Sequence, residues 1–223
     1  RIDAAGKLDL ALGLQGLAPE DPVRIQAVFA PTSGGRLDVN ATGTVAGALR
    51  SALRFDAFDV SLLSPLLPEG TRFAGKLTGE LELESTAERE LLELEGRLRV
   101  GGARVVRAPV DVSGDLSLDA RLAENGPVEL VAKATLTDGG HVEVAGTSTR
   151  KGVLDLRTEL ANFDLAVVTP FLDSPELSVA GRATGKGTLV GPYDALDSLA
   201  LDLALAGTAI RFGDTRIEGP FTV

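Results

Sequence analysis

The chain has 223 residues, a formal net charge of −10, one histidine, one tyrosine, and neither cysteine nor tryptophan. Without cysteine there are no disulfides, thiolate metal sites or thiol nucleophiles, a single histidine removes the usual zinc constellations, and the acidic balance argues against nucleic acid, whose affinity rests on Lys and Arg neutralising phosphates. No apolar run approaches the roughly 18 residues that span a bilayer as a helix and no signal peptide is visible, so a chain that opens on Arg1 and stops at Gly-Pro-Phe-Thr-Val reads as a segment of a longer polypeptide.

Taken in chain order, the dominant signal is period two, which sends alternate side chains to opposite faces of a strand. Leu8, Leu10, Leu12 and Leu14 alternate with Lys7, Asp9, Ala11 and Gly13, and Leu37, Val39, Ala41 and Val45 with Arg36, Asp38, Asn40 and Thr44. Phe73, Gly75, Leu77, Gly79, Leu81 and Leu83 oppose Lys76, Thr78, Glu80, Glu82 and Glu84. Leu92, Leu94, Gly96, Leu98 and Val100 then oppose Glu93, Glu95, Arg97 and Arg99. The longest run sets Val110, Val112, Gly114, Leu116, Leu118, Ala120 and Leu122 against Asp111, Ser113, Asp115, Ser117, Asp119 and Arg121. At about 3.3 Å per residue it spans roughly 40 Å. Further runs cover Val128 to Leu136, Val142 to Ser148, Leu154 to Leu160, Leu177 to Leu189, Leu199 to Ala209 and Ile217 to Val223. Turn signals stand between them at Gly34-Gly35, Gly101-Gly102, Asn125-Gly126, Asp138-Gly139-Gly140, Lys151-Gly152 and Gly213-Asp214, and loops this short join antiparallel strands. Helix is scarce: Ser85 to Glu88 has the spacing of a capping box, but alternation resumes by Leu92.

A ten-residue phrase occurs twice, Phe58 to Leu67 (FDVSLLSPLL) and Phe163 to Leu172 (FDLAVVTPFL), at an offset of 105 residues. Each copy continues into a glycine-bearing strand, Phe73 to Gly79 and Val179 to Gly185. Both phrases are apolar on consecutive residues, and Pro65 and Pro170 would remove a ladder donor inside a sheet. They are expected to form short helical turns or crossing segments that cover part of an apolar face. The chain is expected to be one elongated unit over residues 1–223, with repeats of about 53–157 and 158–223, the second truncated.

Long one-faced strands raise the question of what covers the apolar face, since exposed apolar patches above a few hundred Å² are rare in soluble monomers. Amphipathic helices are missing. A membrane barrel would carry aromatic girdles, which one tyrosine and no tryptophan cannot supply. A second sheet, closure into a barrel with a packed interior, and an apolar ligand inside a curved sheet remain. Gly75, Gly79, Gly96, Gly114, Gly181, Gly185 and Gly187 fall in the apolar register, where they are expected to bend the sheet and leave room on its concave side. The fold expected is therefore all-β: a long, curved antiparallel sheet, U-shaped or taco-like, with an apolar concave face and few short helical turns.

Chemistry-bearing motifs are weak. Gly181 to Thr188 superficially looks like a phosphate loop, but its glycines are separated by three residues instead of four and it alternates as a strand. His141 starts a strand on the polar face with no nucleophile or orienting partner identifiable. Carboxylates at Glu80, Glu82 and Glu84 read as a solvated strand face. The expectation is a protein that is not an enzyme, with no cofactor and no metal.

The repeated phrases, with FDVSLLSPLLPEGTRFAGKLTG and FDLAVVTPFLDSPELSVAGRATGKGTLVGPYDALDSLALDLALAG quoted in full, resemble the AsmA-like/TamB family. The likeness covers about Leu53 to Val105 and Leu154 to Val223. It implies a periplasmic segment of a protein anchored in the inner membrane, with a β-groove that carries phospholipid acyl chains towards the outer membrane. It also implies partnership with outer-membrane barrel proteins through other parts of the full-length chain. Groove-lining positions are then Leu77, Leu81, Leu83, Leu94, Leu98, Val112, Leu116, Leu118, Leu130, Val144, Leu156, Val179, Leu189, Leu201, Leu203 and Leu205. A charge at Leu77, Leu116 or Leu203 is expected to block lipid while leaving the fold largely intact. Two other readings stand beside this: a groove or open sheet edge that chaperones outer-membrane proteins by β-augmentation, and a dry β-sandwich stalk without ligand.

Overall fold

The computed structural model describes residues 5–66, 70–86, 91–108, 110–122, 126–149, 153–167, 179–192, 200–212 and 215–222. Fourteen strands form one sheet: Gly6–Leu14 (β1), Pro22–Pro31 (β2), Arg36–Thr44 (β3), Leu49–Asp59 (β4), Arg72–Ser85 (β5), Leu91–Arg107 (β6), Val110–Leu122 (β7), Val128–Leu136 (β8), His141–Ser148 (β9), Val153–Asp164 (β10), Val179–Ala180 (β11), Arg182–Pro192 (β12), Ala200–Phe212 (β13) and Thr215–Thr222 (β14). From β1 to β10 each strand pairs antiparallel with the next, as short loops dictate. β11 and β12 pair with successive parts of β13, Ala180 opposite Arg211 and Ala183 opposite Gly207, so they are one strand interrupted at Gly181. The sheet is not closed.

Three of its register shifts lie near one rim and bend it. Register shifts occur between Phe55 and Phe58 in β4, between Val100 and Ala103 in β6, and between Leu160 and Phe163 in β10. A bulge bends its strand and raises the local twist, and these three fall in neighbouring cross-strand rows near the same rim, so the bend runs along the sheet. The first and third copy one another in detail. Ala57 and Asn162 both adopt positive φ, 46° and 48°, immediately before the phenylalanine of the repeated phrase. Asp59 Oδ1 then accepts from the Ser61 amide at 3.0 Å, and Asp164 Oδ1 from the Ala166 amide at 2.9 Å.

Each aspartate opens a short 3₁₀ segment, and the first of these crosses the apolar face. Val60–Leu66 forms a 3₁₀ helix containing Pro65, and a second 3₁₀ turn covers 165–167. Val60, only 1 % exposed, packs with Phe58 and Leu77, and Phe29, Leu37, Phe55, Leu62, Phe73, Leu98 and Val100 surround the cluster. Phe58 meets Phe55 edge-on at 6.0 Å between ring centroids. The Ser64 hydroxyl ties the crossing to β5, donating to the Phe73 carbonyl and accepting from the Phe73 amide, both at 3.1 Å. The expectation that the first phrase covers part of an apolar face is met. For the second copy, Pro170 and its neighbours lie outside the described residues.

Some expectations change. Gly101-Gly102 is not a turn: β6 runs through it, and the pair makes the bulge, with the Gly102 amide donating to Asp115 Oδ1 at 2.9 Å and Gly102 at φ 58°. Val45 falls outside β3, in the turn before β4, its amide donating to the Asp21 carbonyl. β2 and β4 complete the sheet where no alternation had been read. Ser85 ends β5, and residues 87–90, where the capping box would act, lie outside the described residues, as do Asn125, Lys151, Gly152, Gly213 and Asp214.

Candidate functional site: the apolar concave face

Antiparallel partners directly opposite each other point to the same face. The register therefore sorts side chains into rows that run across the strands, along the length of the sheet. One row is Leu10, Ala27, Val39, Leu53, Leu81, Gly96, Ala120, Leu130, Gly146, Leu156, Leu189 and Leu201. It crosses from β1 to β13 without a polar residue. Its neighbour is Leu8, Phe29, Leu37, Phe55, Gly79, Leu98, Leu118, Ala132, Val144, Thr158, Gly187 and Leu203, with one hydroxyl. A third row links Phe58, Leu77, Val100, Leu116, Ala134, Val142, Leu160, Gly185 and Leu205. On the other side, Leu83, Leu94, Leu122 and Val128 continue the apolar face.

The structure thus brings Leu77, Leu81, Leu83, Leu94, Leu98, Leu116, Leu118, Leu130, Val144, Leu156 and Leu189 onto one face, and Val112, opposite Val105, extends it toward the rim. Leu201, Leu203 and Leu205 hold matching backbone positions on β13, but their side chains, like that of Val179, lie outside the description. The positions are not equivalent. Leu77, 8 % exposed, lies beneath the first crossing, whereas Leu118, 39 % exposed, is open. Leu8, Leu10 and Leu12 on β1 are at least 60 % exposed, so the apolar surface is uncovered there.

Beside the first crossing the face deepens into an open bay of about 410 Å³, lined by Val60, Leu63, Phe73, Leu77, Leu98, Val100, Leu116, Leu118, Ala132, Ala134, Val142 and Val144 among others. It gathers five of the positions read from sequence: Leu77, Leu98, Leu116, Leu118 and Val144. Val60 and Leu63 had no alternation to betray them, because they belong to the crossing; their signal was the unbroken apolar phrase. Val100 and Val142 sit on strands already read as one-faced and were legible as wall residues.

Gly79, Gly96 and Gly114, expected to leave room on this face, are closely approached by neighbouring strands. A β-carbon at Gly79, φ 136°, would run into the Arg97 carbonyl oxygen, and one at Gly114 into that of Thr135. These glycines permit close approach of neighbouring backbones; they do not open space above the sheet. Above Gly96 the room is already used, since a β-carbon there would lie 2.5 Å from Leu81 Cδ1.

The opposite face is charged and paired across strands. Asp38, Arg54, Glu80, Arg97 and Asp119 occupy directly opposed positions on five consecutive strands and alternate in sign. Arg97 reaches Asp119 at 2.7 Å, Lys133 reaches Glu143 at 3.0 Å and Lys186 reaches Glu159 at 2.6 Å. Hydrogen bonding to Lys186 holds the Glu159 carboxyl below its usual range. A depression of about 540 Å³ on this face is walled by Glu82, Glu95, Arg97, Asp119 and Arg121. It is larger than the apolar bay, but its walls are ionised and give an apolar ligand nothing to gain.

Among the described residues no group of three or more His, Asp or Glu side chains is placed to hold a metal. His141 is partly exposed and its Nε2 stands 3.9 Å from Glu143. The phosphate-loop look-alike is strand, with Thr184 opposite Ala206 and Lys186 opposite Ala204. No helix among the described residues is long and apolar enough to cross a membrane. Comparisons of the chain with protein-family models, with curated proteins and with solved structures find no match.

Proposed function

We propose that this chain is a stretch of lipid-conducting groove, of the kind the AsmA-like/TamB resemblance implies: a periplasmic segment that shields phospholipid acyl chains on their way between membranes. The observation that carries the reading is the unbroken apolar row from Leu10 to Leu201, on the concave face of an open sheet, over which, among the described residues, the Val60–Leu66 crossing covers one part. Eleven inter-strand steps of about 4.8 Å make it roughly 53 Å long. Apolar contact is worth about 0.8 kcal/mol per buried methylene, and it is non-directional. Successive rows of Leu, Val and Ala hold a chain equally well at each step, and headgroups stay in water at the rim. Movement along such a surface needs no deep pocket and no catalytic group.

The test is organic extraction of the purified protein combined with native mass spectrometry after exposure to phosphatidylethanolamine–phosphatidylglycerol vesicles. The reading expects bound phospholipid in stoichiometric amounts. A protein that carries none, and takes none from vesicles, overturns it.

A further inference from the structure

We propose that the second copy of the repeat retains an acyl chain at a place that the first copy fills with its own side chains, Ala134 being the residue that opens the place and Phe29 the one that closes its counterpart. This rests on the acyl-chain reading above and adds to it where along the groove a chain is held.

The two copies correspond strand by strand. Pro22 to Leu67 aligns with Pro127 to Leu172 without a gap, and the fastenings of the sheet repeat along with the strands. Thr32 donates from its amide and its hydroxyl to the Ala5 carbonyl, at 2.9 and 3.1 Å; Thr137 does the same to the Ser113 carbonyl, at 2.9 and 3.3 Å. Lys76 Nζ donates to the Ser33 carbonyl at 3.2 Å, and Arg182 to the Asp138 carbonyl, also at 3.2 Å. A β-carbon at Gly6 would strike the Ala30 carbonyl oxygen, and one at Gly114 that of Thr135. β1 to β4 are thus matched by β7 to β10. One cross-strand row maps onto another, Leu8, Phe29, Leu37 and Phe55 onto Leu116, Ala134, Val142 and Leu160.

The backbone is copied, but along this row the side chains shrink. In the first copy the Phe29 ring lies 6.3 Å from that of Phe58, and Phe29, Leu37 and Phe55 pack against the cluster beneath the crossing. In the second, Phe163 keeps the place of Phe58, while Ala134 and Val142 stand where Phe29 and Leu37 would be, and both line the open bay. A phenylalanine exchanged for alanine on an otherwise repeated scaffold leaves out one ring of hydrocarbon. Hydrocarbon supplied from outside gains there the burial that Phe29 gains within the chain. The two polar residues among those lining the bay, Ser117 and Lys133, are paired opposite each other on the charged face, so the floor offers no partner to a headgroup. The occupant is therefore the acyl chain.

The experiment is photolabelling of the intact protein by a phospholipid with a diazirine in one acyl chain, carried in phosphatidylethanolamine–phosphatidylglycerol vesicles, with the labelled residues mapped by mass spectrometry. Ala27 and Val39 on β2 and β3 are opposed exactly as Ala132 and Val144 are on β8 and β9, so the copies offer identical residues to the label. Label is expected on Ala132 and Val144 well above that on Ala27 and Val39. Ala134→Phe, which the first copy shows this backbone to accommodate, is expected to lower the label on Ala132 and Val144 about tenfold, the equivalent of roughly two methylene contacts. Phe29→Ala is expected to raise the label on Ala27 and Val39; urea denaturation checks its folding, and Phe29→Leu, which keeps more of the cluster's packing, takes its place if it does not fold. Equal labelling of the two copies in the unmodified protein, label on Ala132 and Val144 that Ala134→Phe leaves unchanged, or a folded Phe29 variant that gains none, overturns the assignment while leaving the groove. Absence of label anywhere on the apolar face overturns the acyl-chain reading itself.

Discussion

Leu77→Asp and Leu116→Asp are expected to fail in different ways, although the two leucines share one cross-strand row with only Val100 between them. Leu77 lies under the first crossing, in contact with the cluster of Phe58 and Val60. Truncating such a leucine costs about 2–5 kcal/mol, and an unpaired carboxylate in its place adds several more. That is comparable to the 5–15 kcal/mol by which a whole domain is stable, so the variant is expected to lose cooperative folding near β4 and β5. Leu116 is half-buried and faces the open bay, where a carboxylate reaches solvent when the bay is empty. Its cost to folding is about 1 kcal/mol of lost apolar burial. Pressing an acyl chain onto that carboxylate would strip its water; at about 3 kcal/mol the affinity falls roughly 150-fold. Urea denaturation and lipid titration on both variants separate the effects. Equal destabilisation of the two, or wild-type lipid affinity for Leu116→Asp, would refute the reasoning.

Three further predictions concern the scaffold. Gly79→Ala is expected to destabilise by about 1–3 kcal/mol, since it combines a positive φ with a collision against backbone, whereas Gly13→Ala, where the nearest atoms to a new β-carbon lie 3.8 Å away, stays near wild type in the same denaturation assay. Leu122→Ala is expected to cost about 2–5 kcal/mol and Leu118→Ala much less, because these residues of one strand and one face are 1 % and 39 % exposed. Asp59 has a carboxyl pushed up by burial but pulled further down by hydrogen bonds from Ser61 and Lys76, leaving it below its ordinary value. A carboxylate lowered in the folded state contributes stability that is present above that value and lost as pH falls through the folded pKa. Asp59→Asn should therefore flatten the acid limb of the stability–pH curve, measured by denaturation between pH 2 and 6.

The architecture was legible because one physical signal, alternation, repeats in nearly every strand. It weakened where the two faces are less distinct. β2 places Val28 on the polar face, between Asp9 and Asp38, and β4 places Ser51 on the apolar one and carries a bulge at Ala57. Those two strands escape a reading by period, as does the strand character of Gly101-Gly102, since a glycine pair signals a turn and a bulge equally well. Outside those two strands and the crossing, the apolar face was legible from alternation. What alternation cannot show is which of its residues are covered: Leu77 and Leu116 have the same local pattern, and only the path of Val60–Leu66 over β5 makes one core and the other wall. The role of the glycines was hidden for a similar reason, because close approach by a neighbouring strand is a tertiary fact.

The most direct test of the groove is a photo-crosslinking scan along β6 and β7, one residue at a time, with a crosslinking amino acid at positions 97 to 100 and 116 to 119 and a radiolabelled phospholipid. Lipid held on the apolar face gives crosslinks at Leu98, Val100, Leu116 and Leu118 and little at Arg97, Arg99, Ser117 and Asp119, a period of two that follows the register. Crosslinks of equal strength on both faces, or confined to the charged one, would contradict it.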